Sequence, residues 1–126
     1  MDFVSIRLIT GQVDRLVSFY EQVTGLKATR YSEDFAEVKS PTCTLAIGST
    51  RTVQVYGPGV VEAAPNRSVF LEFRVKDVDE AFDRLKPLVS GFVMEPTTMP
   101  WGNRSLLLRD PDGNLINLFA PVSPKA

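Results

Sequence analysis

The chain has 126 residues, is 44% hydrophobic and 23% charged, and its 14 basic and 15 acidic residues leave a net charge of −1. These values fit one globular domain with its own core; they exclude the basic stripe of a nucleic-acid binder and the apolar run of a membrane span. Histidine is absent, which rules out Ser-His-Asp and Cys-His mechanisms and removes the commonest ligand of a zinc or iron centre.

The start, MDFVSIRLIT, has neither the basic segment nor the long apolar segment of a secretory signal. Phe3 to Ile9 alternates, with Val4, Ile6 and Leu8 opposite Ser5, Arg7 and Ile9, as in a half-buried strand. Val13, Leu16, Val17, Tyr20 and Val23 then mark the apolar stripe of a helix, which Gly25 stops. Leu26 to Tyr31, Phe35 to Lys39 and Thr42 to Ile47 read as three strands separated by Ser32-Glu33-Asp34 and Ser40-Pro41. Cys43 falls in an apolar run and reads as a small core residue; with no second cysteine to pair with, it fits a reducing, cytoplasmic location. Val53, Val55 and Tyr56 suggest a short strand or arm. The Gly57-Pro58-Gly59 and AAPNRS segments then read as a linker over 51–67.

Val69 to Val75 alternates again, with Phe70, Glu72 and Arg74 opposite the apolar set. Asp77 can cap a helix reaching Leu85, with Val78, Ala81, Phe82 and Leu85 on one side. Phe92 to Glu95 is a strand that ends before Pro96. Ser105 to Arg109 and Leu115 to Phe119 form a hairpin around Asp110-Pro111-Asp112-Gly113-Asn114. There Pro111 presets φ, the aspartates can bond nearby amides and Gly113 accepts a positive φ. The last four residues, 123–126, read as a polar tail that frays.

The two halves repeat. Asp79 matches Asp14 at an offset of 65 (79 − 14), which also pairs Val69 with Val4, Leu71 with Ile6 and Phe82 with Val17. Later, Asp110-Pro111 matches Ser40-Pro41, and Leu115 matches Leu45, at an offset of 70 (115 − 45). Each half reads βαβββ, which gives an α+β chain of two modules, 1–50 and 68–122.

A doubled βαβββ unit carrying DRLVSFYEQVTGL, LEFRVKDVDEAF and PWGNRSLLLRDPDGNLINLF resembles the vicinal oxygen chelate superfamily of glyoxalase I, extradiol dioxygenases and bleomycin-resistance proteins. The resemblance implies mixed sheets that curl into an open cup, a homodimer, and a ligand held in the cup. It also implies metal ligands on the first strand of each half and on the last strand. Those positions fall here on Ser5, Phe70 and Asn117, which are not a transition-metal set. No metal and no cofactor is therefore expected.

Strand alternation places Ser5, Arg7, Phe70, Glu72 and Arg74 on the concave faces. Arg7 and Glu72 are pseudo-equivalent. They read either as a neutralising ion pair, as polar anchors in an apolar pocket, or as a base and its cationic partner. Tyr31, Phe35, Tyr56, Phe92, Trp101 and Phe119 are either core or ligand-facing aromatics. Trp101, between Pro100 and Gly102, reads as a stacking platform or as a subunit contact. The expected ligand-binding set is Ser5, Arg7, Tyr31, Phe35, Phe70, Glu72, Trp101, Asn117 and Phe119. The resemblance implies a metal-free binding protein that sequesters an apolar or aromatic small molecule, antibiotics included, with no nucleic-acid or membrane partner. Two alternatives stand beside it: a metal-independent isomerase or cyclase using Glu72 and Arg7, and a metal lyase or dioxygenase with a displaced site recruiting Glu37, Glu72 or Asp112.

Overall fold

The computed structural model describes residues 1–63 and 66–122; the expected fraying of 123–126, and residues 64 and 65 of the AAPNRS run, lie outside it. The chain divides into two compact units, Met1–Pro65 and Asn66–Ala126. The first contains β1 (Ser5–Thr10), α1 (Val13–Thr24), β2 (Thr29–Ser32), β3 (Phe35–Lys39) and β4 (Thr44–Ser49), followed by a 3-10 helix (Thr50–Tyr56). The second contains β5 (Phe70–Arg74), α2 (Val78–Leu85), β6 (Met94–Thr98), β7 (Asn103–Arg109) and β8 (Leu115–Pro121). The sheets run β1-β4-β3-β2 and β5-β8-β7-β6. In each, the first strand pairs in parallel with the last and the others pair antiparallel. This is the expected α+β architecture of two βαβββ modules.

One face of each sheet is closed by its helix. In module 1, Val13, Leu16, Val17, Tyr20 and Val23 of α1 are buried, as are Ala36 and Val38 of β3 and Leu45 and Ile47 of β4. In module 2, Val78, Ala81 and Leu85 of α2 are buried with Leu71, Leu106, Leu108, Ile116 and Leu118. Each buried Val, Leu or Ile among them contributes about 1.5–3 kcal/mol by leaving water, so these layers hold the modules together. An ion pair ties sheet to helix in both: Arg30 to Asp14 at 2.8 Å and Arg104 to Asp79 at 2.8 Å.

Several expectations are corrected. Val53 to Tyr56 forms no strand or arm and does not begin a linker: Thr50–Tyr56 is a 3-10 helix whose Val53 is buried, started by the Ser49 hydroxyl accepting from the Arg51 amide. Phe3 and Val4 precede β1 and are exposed. Cys43 is exposed, not core, because the Ser40 hydroxyl accepts from the Thr42 and Cys43 amides and bends the chain before β4 begins. Strand β6 starts later than Phe92 and runs through Pro96. It is an edge strand with an irregular register between Met94 and Thr97, where a missing amide proton costs no ladder bond.

The register also corrects the repeat. Ser5 pairs with Thr44, and its equivalent Phe70 pairs with Leu115, so the last strands are offset by 71 (115 − 44) rather than 70. Ala46 therefore corresponds to Asn117, and Gly48 to Phe119.

Candidate functional site

The faces turned away from the helices carry the expected site residues, each positioned by the pleat. In module 1 the rows read Ser5–Thr44–Lys39, then Arg7–Ala46–Glu37–Thr29, then Ile9–Gly48–Phe35–Ser32. Ser5 and Arg7 are exposed. Tyr31 and Phe35 stack obliquely, with centroids 5.8 Å apart and planes at 37°. The Tyr31 hydroxyl donates to Glu37 Oε1 at 2.8 Å. Lys39 Nζ lies 3.7 Å from the same oxygen and 5.8 Å from the Tyr31 ring centroid. The Tyr31 hydroxyl, followed by the Glu37 charge, holds the Lys39 ammonium above the usual lysine range.

Arg7 meets the 3-10 helix. Its Nη2 donates to the Tyr56 hydroxyl at 3.5 Å, and its Cζ is 6.0 Å from the Tyr56 ring centroid. The helix can cross this face because residue 48 is glycine: a Cβ there would stand 2.8 Å from Thr52 Oγ1. Tyr56 and Glu37 are thus part of the arrangement although neither was in the expected ligand-binding set. The signal for Tyr56 was only its aromatic character, since its approach to Arg7 depends on a 3-10 turn that the valine pattern disguises.

In module 2 the rows read Phe70–Leu115–Arg109, then Glu72–Asn117–Leu107–Met94, then Arg74–Phe119–Ser105–Thr97. Phe70, the first residue of the edge strand β5, is 52% exposed. Asn117 Nδ2 donates to Glu72 Oε2 at 2.9 Å, and Asn117 Oδ1 is buried with no hydrogen-bond partner. Arg7 and Glu72 therefore each bond a neighbour within their own module, Tyr56 and Asn117 respectively. Trp101 is not on a sheet face: it occupies the turn Met99–Gly102, closed by the Gly102 amide donating to the Met99 carbonyl at 3.0 Å, and is 74% exposed.

The Ser5, Phe70 and Asn117 positions supply a hydroxyl, a phenyl ring and an amide, a donor set that does not fit a transition metal. Among the described residues, no group of three or more His, Cys, Asp or Glu is placed to hold a metal ion. A displaced site at Glu37, Glu72 and Asp112 has no such cluster to support it.

Two concavities lie elsewhere in module 1. One of about 450 Å3 opens at the start of α1 beside Gln12, Arg15, Asp34 and Arg51. Asp34 Oδ1 accepts from Arg51 Nε at 2.9 Å, from Arg51 Nη2 at 2.6 Å and from Ser49 Oγ at 2.7 Å. The Arg51 guanidinium, helped by Ser49, holds the Asp34 carboxyl below the usual carboxylate range. The other, of about 470 Å3, lies in the loop around Gly57, Pro58 and Val61. Neither is lined by an expected site residue.

No curated protein matches the chain. Among solved structures, a glyoxalase/bleomycin resistance protein/dioxygenase from Nocardioides shares 22% identity at a TM-score of 0.80, over 99% of this chain and 86% of that one. A glyoxalase/bleomycin resistance protein/dioxygenase family enzyme from Burkholderia phytofirmans PsJN shares 16% identity at a TM-score of 0.85, over 97% and 100%. A protein of unknown function from Agrobacterium tumefaciens str. C58 shares 26% identity at a TM-score of 0.80, over 97% and 95%. The Glyoxalase family model matches residues 2–118, and with that match over most of its length and two βαβββ modules, the chain belongs to the glyoxalase/bleomycin resistance protein/dioxygenase superfamily.

Proposed function

We propose that the chain is a metal-independent small-molecule-binding protein that sequesters an apolar or aromatic compound, antibiotics being one such class, on the sheet faces opposite its α-helices. The observation that carries this reading is the exposure of aromatic side chains beside anchored polar groups on those faces. Tyr31 is 55% exposed and donates to Glu37, Tyr56 is 54% exposed and accepts from Arg7, and Phe70, 52% exposed, shares its face of β5 with Glu72. Strands β2 and β5 and the 3-10 helix carry these rings, so little ordering cost remains when a flat ligand stacks on them. The donor set at Ser5, Phe70 and Asn117 supports binding without a transition metal. A homodimer in the cytosol goes with this reading; the first rests on the family resemblance and the second on the lone cysteine. Trp101, at its exposed turn, supplies a further stacking surface.

Native mass spectrometry with aromatic natural products tests the proposal. A dimer retaining a compound of unchanged mass, and no transition metal, is the expected result. A bound transition metal, or a compound released with altered mass, overturns it.

A metal-independent isomerase or cyclase is the second reading, favoured by one feature: Glu72 is exposed and, among the described residues, bonded through Oε2 alone, which leaves Oε1 to take a proton. Glu72→Gln separates the two. Under sequestration, ligand affinity changes by about threefold or less, whereas under catalysis turnover falls by about 100-fold or more.

A further inference from the structure

Charge is sorted in this chain more sharply than its net value of −1 suggests. The helices are acidic. Between them, α1 and α2 carry Asp14, Glu21, Asp79, Glu80 and Asp83 against Arg15 and Arg84. The register-paired positions on the sheet faces opposite the α-helices are basic: Arg7, Lys39, Arg74 and Arg109 against Glu37 and Glu72.

Local bonding leaves that excess cationic. Glu37 is occupied by the Tyr31 hydroxyl and Lys39, and Glu72 by the Asn117 amide. The arginines on the opposite faces are neutralised: Arg30 pairs with Asp14 and Arg104 with Asp79. Arg7 and Arg74, by contrast, are in no ion pair among the described residues. Arg7 has one long bond, to the Tyr56 hydroxyl at 3.5 Å, and a ring beside its guanidinium at 6.0 Å. The ring fixes the plane of the fork through a cation–π contact while leaving its other donors unused. The hydroxyls of Ser5 and Thr44 stand in the adjacent row of the same face. A guanidinium oriented by an aromatic ring, flanked by hydroxyls and lacking a carboxylate, suits an anionic group with two acceptor oxygens that can take two parallel hydrogen bonds.

We infer that the ligand of the module 1 face is an aromatic anion, a compound joining a flat ring system to a carboxylate or sulfonate, with Arg7 as its charge partner; Arg74 plays the corresponding part on the module 2 face, each module taken by itself. This rests on the sheet-face binding reading above and adds the sign of the ligand's charge.

Two fluorescent probes of similar shape separate the ideas: anionic 8-anilinonaphthalene-1-sulfonate and neutral N-phenyl-1-naphthylamine. Titrated against the full chain, the anion is expected to bind more tightly. Arg7→Met should weaken it about tenfold and Arg74→Met less, with the neutral probe changing by about twofold or less. Arg30→Met removes the same charge from the helix-covered side and should leave both probes unchanged. If Arg7→Met does not fold, raising salt from about 0.05 M to about 0.5 M with the unaltered chain gives the same answer: the anion's affinity falls and the neutral probe's does not. Neutral binding that persists alongside an anion affinity insensitive to Arg7, Arg74 and salt overturns the inference alone. Equal losses of both probes in Arg7→Met also overturn it. Failure of both probes to bind the unaltered chain overturns the sheet-face reading itself.

Discussion

Module 1 leaves its helix start without a side-chain cap and crosses its sheet face with a 3-10 helix, whereas module 2 caps α2 with Asp77 and closes its last hairpin on a buried aspartate. The strand order is the same in both, so the difference isolates what side chains add to a fixed wiring. Corresponding rows make the point. Arg7–Ala46–Glu37–Thr29 in one module becomes Glu72–Asn117–Leu107–Met94 in the other, and Ile9–Gly48–Phe35 becomes Arg74–Phe119–Ser105. Where a chain segment passes over the sheet, the β4 residues Ala46 and Gly48 are small. The same positions in module 2 carry an amide and a phenyl ring. Each module thus fills one geometric slot differently, once with backbone from above and once with side chains from below.

The hairpins offer the strongest way to break this comparison. Asp110 is 4% exposed, and its carboxylate accepts from the Asp112 and Asn114 amides at 2.9 Å each and from Asn114 Nδ2 at 2.8 Å. Asp110→Ala leaves those donors unsatisfied and should cost about 3 kcal/mol in urea denaturation, against about 1 kcal/mol or less for Ser40→Ala at the half-buried counterpart. Equal losses would mean that the two turns do the same work.

The glycine comes next. Gly48→Ala places a methyl 2.8 Å from Thr52 Oγ1 and should destabilise the chain by about 1–2 kcal/mol. Gly48→Ala combined with Thr52→Ala should recover part of that loss, because the two sites share one contact. Without such recovery, the crossing segment is not what demands glycine.

Helix starts give a smaller effect. Asp77 accepts from the Glu80 amide at 3.1 Å, so Asp77→Ala should cost about 1 kcal/mol, while Gln12→Ser at the uncapped start of α1 should gain a few tenths to about 1 kcal/mol in thermal unfolding.

The smallest effect is shared by both modules. Arg51 holds the Asp34 carboxyl below its usual range, and Arg104 does the same for Asp79. Because these folded-state values are depressed, the stability they confer is present above the unfolded carboxylate value of about 4 and is lost as pH falls through the folded one. Both pairs are solvent-exposed, so the acid-side slope should be shallow. It should flatten further in Asp34→Asn and Asp79→Asn, with high salt producing the same flattening.

Much of the fold was legible because the signals were periodic. The α1 stripe predicted every residue that the helix buries, Phe35–Lys39 is a strand with the expected bounds, and Asp77 caps α2 as its spacing implied. The misses have physical causes. Val53 and Val55 alternate as in a strand, yet Ser49 starts a 3-10 turn there, and short apolar runs do not separate those outcomes. Pro96 argued for a strand end, which holds for central strands but not for an edge. For the site, alternation sufficed to put Arg7, Phe70 and Glu72 on the sheet faces turned from the α-helices, while Asn117 was singled out through the resemblance. Which atoms they bond was not legible: the Asn117 to Glu72 contact depends on a register shifted by one residue from the repeat as read along the chain.

Parallel pairing of first and last strands has a consequence for how the chain comes off the ribosome. Ser5 cannot find Thr44, nor Phe70 find Leu115, until 39 (44 − 5) and 45 (115 − 70) further residues have been made. Until then β1 and β5 have no ladder partner within their own module, and the entropy of closing a long loop must be met before any bond repays it. Each module therefore completes its sheet only after its last strand emerges. Arg7, placed in the middle of β1, keeps a charge on that strand through the interval when it is most open to pairing with a neighbouring nascent chain.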